Sequence, residues 1–126
     1  MTTVAPQYED AYCMVTDQNL MIKKYFFPSR KNALLPVDSI SVLFFAPQDE
    51  SKYSNIRIWG KTKNDCYWAP DWRRCLPGHK AAKHNVIVDI EDGLKRGFTV
   101  ENIEEFLDAI RNVCSFHIII ADNLNI

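Results

Sequence analysis

The chain has 126 residues, 47% hydrophobic and 25% charged, and 15 basic against 16 acidic side chains leave a net charge of −1. A single domain of this size buries about two thirds of its unfolded surface, so its core needs no covalent or metal staple. Near-neutral charge disfavours a protein that coats nucleic acid, and ordinary apolar and aromatic content disfavours disorder. No apolar run approaches the ~18–20 residues of a membrane span, and the N-terminal stretch has no basic-then-apolar signal pattern. A soluble, cytoplasmic protein is expected. Cys13, Cys66, Cys75 and Cys114 form no Cys-x-x-Cys pair and read as reduced thiols. Cys13 and Cys114 lie in apolar stretches and are expected as small core residues.

Residues 1–9 are a polar lead-in without periodicity. Residues 11–15 and 20–27 are β-type runs separated by the turn-rich Thr16-Asp17-Gln18-Asn19. In the second run, Leu20, Ile22 and Lys24 fall on one face and Met21, Lys23 and Tyr25 on the other. Pro28 to Asn32 is a loop. A third β segment covers residues 34–45, interrupted by Pro36. Residues 55–59 alternate as a strand, and Cys66 to Trp68 begins another that Pro70 limits. Residues 71–84 read as an irregular loop around Pro77-Gly78. A last strand pair, 85–90 and 96–98, turns at Asp92-Gly93, making seven strands.

One helix follows. Val100, Ile103, Phe106, Leu107, Ile110, Val113 and Cys114 make a single apolar stripe, with Thr99 as the expected N-cap. Glu101, Glu104 and Glu105 suit the positive end of its dipole, and Arg111 the negative end. The tail after it, with Phe116, Ile118, Ile119, Ile120, Leu124 and Ile126, is too apolar for a freely solvated end. It reads either as a short strand tucked against the domain or as an edge that pairs with a second copy in a homodimer. The expected organisation is a lead-in over 1–9, a domain over 10–114 and an apolar extension over 115–126.

Several stretches carry a family resemblance: Val15-Thr16-Asp17 leading into Leu20-Met21-Ile22-Lys23-Lys24-Tyr25-Phe26-Phe27-Pro28, then Ile58-Trp59-Gly60. Trp68-Ala69-Pro70-Asp71-Trp72-Arg73-Arg74 and Gly97-Phe98-Thr99 continue it. Over roughly residues 10–114 the chain resembles small uncharacterised proteins with a pleckstrin-homology-like (PH-like) barrel. The resemblance implies a mainly β fold, with seven strands in two orthogonal antiparallel sheets capped by a C-terminal helix. That fold hosts lipid, peptide and protein binders. Its phosphoinositide-binding members place a basic motif in and beside a sizeable loop between the first two strands. Here that connection is Thr16–Asn19, with one acid and no base.

Candidate binding residues follow from charge and aromatic placement. Lys23, Lys24, Arg30 and Lys31 form one basic group; Arg73, Arg74, Lys80 and Lys83 form another. Seven acids between residues 89 and 108 oppose them, so the chain is bipolar rather than uncharged. Converging cations would hold phosphate or an acidic peptide, and separate ones would be a solvated face. Among Trp59, Tyr67, Trp68 and Trp72, most read as packing residues, and Trp72 beside Arg73 and Arg74 reads either as an interaction hot spot or as a structural cation–π stack. Cys66, Cys75, His79 and His84 offer zinc ligands at an unusual first spacing and read as unrelated side chains. No nucleophile elbow, phosphate-cradling glycine loop or His-Glu-x-x-His occurs, and Cys75 near His79 lacks an orienting group. A non-catalytic module without a cofactor is expected. Its leading partner is a protein or peptide. The alternative is weak electrostatic contact with anionic phospholipid or phosphoinositide headgroups through the basic loops, at a membrane periphery.

Overall fold

The structure, a computed structural model, describes residues 6–26, 29–47, 60–61, 66–71, 83–114 and 118–121. The first four strands, β1 (Tyr8–Glu9), β2 (Cys13–Val15), β3 (Asn19–Ile22) and β4 (Ala33–Pro36), form an antiparallel meander in that order. Thr16 closes the β2–β3 turn by accepting from the Asn19 amide at 3.1 Å, while its own amide donates to the Asn19 carbonyl at 2.9 Å. Burial alternates as period two requires: Cys13 and Val15, Leu20 and Ile22, and Ala33 and Leu35 face inward.

After a single 3-10 turn at Val37–Ser39 the chain enters a second sheet. Its strands are β5 (Val42–Pro47), β6 (Gly60–Lys61), β7 (Cys66–Trp68), β8 (His84–Asp89), β9 (Lys95–Val100) and, after the helix, β10 (Ile119–Ala121). Their spatial order is β10-β5-β8-β9-β7-β6. The β10–β5 and β7–β9 pairings are parallel; the rest are antiparallel. The helix α1 (Ile103–Val113) follows β9 directly.

Two apolar clusters hold these layers. The larger joins the inner faces of both sheets to one side of α1, through Val15, Leu20, Ile22, Leu43, Val86, Val88, Phe98, Phe106 and Ile110. Each such large side chain contributes about 1.5–3 kcal/mol by leaving water. The smaller cluster, Ala46, Cys66, Trp68 and Ile87, uses the opposite face of the second sheet. Hence β8 is buried on both faces, and Ile87 points away from Val86 and Val88. Gly97 stands opposite Trp68 in the β7–β9 ladder, where a Cβ would sit 2.4 Å from the indole ring. Only a glycine fits there.

The protein is therefore mainly β, with two sheets and one C-terminal helix. Ten strands rather than seven occur among the described residues, and there the two sheets do not close into a barrel. The second sheet is mixed rather than antiparallel, because β10 and β7 join it in parallel. The single segment expected over 34–45 is two strands in different sheets, because Pro36 and the 3-10 turn make a corner. The run over 20–27 ends at Ile22. Lys24 has φ +53° and turns outward, so Tyr25 is buried and the expected facing of Lys24 with Ile22 fails. Thr99 does not cap the helix: Val100 pairs with β8, which keeps both residues in β9. Asn102 is the cap, accepting from the Glu105 amide at 3.2 Å, an arrangement that contributes about 1 kcal/mol. Cys13 is a core residue as expected, and Cys114 is half-buried. Of the tail, Ile119–Ala121 pairs with β5, and the strand expected over 55–59 lies outside the described residues.

Candidate functional site

The end of the expected polar lead-in is not merely a lead-in: Tyr8–Glu9 is a strand of the first sheet, and with Pro6 and Gln7 it supplies one wall of a groove. Strand β1 is an edge of the first sheet, and beside it runs the outer flank of α1. Between them is a cleft of about 500 Å³ lined by Pro6, Gln7, Tyr8 and Glu9 on one side. Glu105, Asp108, Ala109 and Asn112, spaced along one helix flank, line the other. The lining holds three carboxylates and no Lys or Arg. Glu9 pairs with Lys23 at 2.7 Å, and Asp108 lies 3.6 Å from Arg111.

Among the described residues no strand pairs with β1 on the side of this groove. The Asp10 amide donates to the Cys13 carbonyl at 3.0 Å and the Gln7 amide to the Val15 carbonyl at 2.8 Å. Counted from the Asp10–Cys13 bond, antiparallel alternation turns the amide and carbonyl of Glu9 away from β2, toward the outer edge, and the Gln7 bond three residues earlier marks where that alternation breaks. Such groups can accept an added strand.

The two walls are tied to each other by Asp10. Its Oδ1 accepts from the Tyr12 and Cys13 amides at 2.7 and 2.9 Å, shaping the β1–β2 turn. Its Oδ2 accepts from the Tyr8 hydroxyl and from the Glu101 amide, the latter at 2.9 Å. The Tyr8 hydroxyl in turn accepts from the Asn102 amide at 3.0 Å. One carboxylate and one phenol thus fasten β1 to the entry of α1. The Tyr8 ring also meets Phe106 edge-on, with centroids 5.8 Å apart.

Burial, then the hydrogen bond to Asp10, pushes the Tyr8 hydroxyl well above its usual range; burial does the same to Tyr25. Unfolded tyrosines ionise near pH 10. Below that pH both states keep the proton and the stabilisation is fully present. Above it the unfolded state binds fewer protons, so stability falls by up to about 1.4 kcal/mol per pH unit for each tyrosine, continuing toward the raised folded value. Thermal unfolding followed from pH 8 to 11 (roughly the tyrosine titration range) should show this loss. Tyr25→Phe should make the slope shallower. A flat profile above pH 10 would contradict it.

Of the basic group at 23–31, only part is free. Lys23 is half-buried, and its Nζ donates to Glu9 and, at 2.8 Å, to the Asp10 carbonyl. Lys24, Arg30 and Lys31 are exposed on the β3–β4 turn, and among the described residues none has a carboxylate partner. Phe26 stands between them in the turn, 46% exposed. Lys83 belongs elsewhere, donating to the Tyr12 hydroxyl at 2.9 Å and lying over its ring. Trp72, Arg73, Arg74 and Lys80 lie outside the described residues.

The other sequence candidates fall as follows. Trp68 is fully buried and Tyr67 half-buried, both as packing residues, whereas Trp59 lies outside the described residues. Cys66 is buried in the smaller cluster, and Cys75 and His79 are outside the described residues. Among the described residues no three metal-ligating side chains converge. No helix there is long and apolar enough to cross a membrane. Strand β10 leaves Ile119 64% exposed at a sheet edge.

The groove was not legible beforehand. Tyr8-Glu9 is too short for periodicity, and its only signal is an apolar ring two residues before an Asp that can close a turn. Compared with models of known protein families, with curated proteins and with solved structures, the chain matches none.

Proposed function

We propose that this chain is a non-catalytic binding module, PH-like in its pairing of two sheets with a C-terminal helix, that holds an extended segment of a protein partner. The segment lies in the groove between β1 and α1, adding to the edge at Glu9 and carrying basic side chains toward Glu105 and Asp108. The observation that carries this reading is the groove itself: a sheet edge unpaired among the described residues, facing a helix flank across about 500 Å³. Backbone pairing at the edge would supply affinity, and the acidic lining would supply selectivity. Because Asp10 and Tyr8 already fix the walls, little ordering entropy is lost on binding.

Selection from a displayed library of random linear peptides tests it. Enriched peptides should be basic and extended. Their affinity should fall at least tenfold, about 1.4 kcal/mol, for the exposed double variant Glu105→Arg/Asp108→Arg. Ile119→Lys, at an edge outside this groove, should leave binding unchanged. Peptides that bind the double variant as well as the wild type would remove the groove reading.

A further inference from the structure

The β3–β4 turn combines features that a purely structural turn would not need. Lys24 and Arg30 both hold left-handed backbone, at φ +53° and +62°. Each is a non-glycine residue in a conformation that costs about 1–2 kcal/mol relative to the right-handed one. Glycine or asparagine would fill those positions more cheaply, yet both carry cations. The described residues on either side of the turn are nonetheless bonded to one another. Phe26 and Lys31 pair through amide and carbonyl at 3.1 Å, the Arg30 amide donates to the Phe26 carbonyl at 2.7 Å, and the Lys24 amide donates to Asn32 Oδ1 at 2.9 Å.

Phe26 is held outward on a fixed base. Its ring meets Tyr25 edge-on at 5.1 Å, and buried Tyr25 is anchored by its hydroxyl, which donates to the Tyr67 carbonyl at 3.0 Å. The same turn thus carries an exposed aromatic ring and three exposed cations that lack carboxylate partners among the described residues. The fourth cation of the group, Lys23, is already neutralised by Glu9.

We propose that this turn docks the protein onto an anionic lipid bilayer, with Phe26 entering the interface and Lys24, Arg30 and Lys31 meeting the headgroups. The order of chemistry favours a bilayer over a soluble acidic peptide. Phe26 needs an apolar phase and the cations need a negative layer directly above it, which is how an anionic leaflet is built. The contact is separate from the groove and does not depend on it.

The test is co-sedimentation of the full chain with phosphatidylcholine vesicles, with and without phosphatidylserine, at low and moderate salt. Binding is expected only with phosphatidylserine, and it should weaken as salt rises. Each of Lys24→Ser, Arg30→Ser and Lys31→Ser should lower partitioning about fivefold, and the triple variant about a hundredfold. Phe26→Ser should lower it at both salt concentrations. The three cations are exposed, so their variants should keep the wild-type melting temperature. Phe26→Ser gives up the edge-on contact with Tyr25 and should lower it by a few degrees at most while the protein stays folded. No sedimentation with phosphatidylserine vesicles, or a triple variant or Phe26→Ser that binds like wild type, would overturn the proposal. So would amide shifts in the turn on adding polyglutamate or inorganic phosphate at matched ionic strength, if vesicles are not bound. That pattern would mark a site for soluble anions instead.

Discussion

Asp10→Ala is expected to lower stability by about 3 kcal/mol, a fall of roughly 10 °C in Tm for a chain of this size. The carboxylate accepts hydrogen bonds from Tyr12, Cys13 and Glu101 amides and from the Tyr8 hydroxyl. Charge-assisted bonds of this kind contribute about 1.5–3 kcal/mol apiece when buried, and half-burial lets water replace part of that here. Asp10→Asn keeps an acceptor for the turn but sets an amide nitrogen against another donor, so about half the loss should remain. The effect should also be local. In Asp10→Ala, hydrogen exchange at Glu101 and Asn102 should quicken, and peptide affinity should drop as β1 loses its tie to α1. Equal stability of Asp10→Ala and wild type in urea would show that β1 is held by something else.

Gly97→Ala is the second large effect, expected to destabilise by about 3 kcal/mol or more. In an open strand the same change is mildly favourable, since glycine weakens strands. Here the sign reverses, because the added methyl would lie 2.4 Å from the Trp68 ring, inside contact distance. The indole is fully buried against Cys66, Ile87 and Ala46 and has no free rotamer to take up. A double-mutant cycle isolates the cause. In a Trp68→Leu background, Gly97→Ala should cost less than about 1 kcal/mol, a coupling of about 2 kcal/mol. Equal costs in both backgrounds would mean that the clash is not the reason.

Legibility in the sequence followed the length of each pattern. The helix is long enough for Ile103, Phe106, Leu107, Ile110 and Val113 to define its buried stripe, and the β8–β9 hairpin is announced by alternation around Asp92-Gly93. Boundaries failed where two elements compete for the same residues. Thr99 is a good cap by chemistry, but the β8 ladder claims it, and its hydroxyl donates to buried Asp71 at 2.6 Å. Likewise 34–45 is rich in β-formers throughout, and only tertiary packing decides that Leu35 and Leu43 belong to different sheets. The basic group was visible from composition, whereas the pairing of Lys23 with Glu9 depends on a contact fourteen residues apart in sequence. The groove is a wholly tertiary feature, since residues 6–9 and 105–112 meet only after the sheets are formed.

The most direct measurement is an amide chemical-shift titration of the isotope-labelled protein with the tightest peptide from the library. The result expected is a set of saturable shifts at Gln7, Tyr8, Glu9, Glu105, Asp108 and Asn112, with the Glu9 amide moving downfield as it gains a hydrogen bond. Shifts confined to β6, β10 or the Lys24–Lys31 turn, with β1 and α1 unmoved, would contradict a groove that takes an added strand.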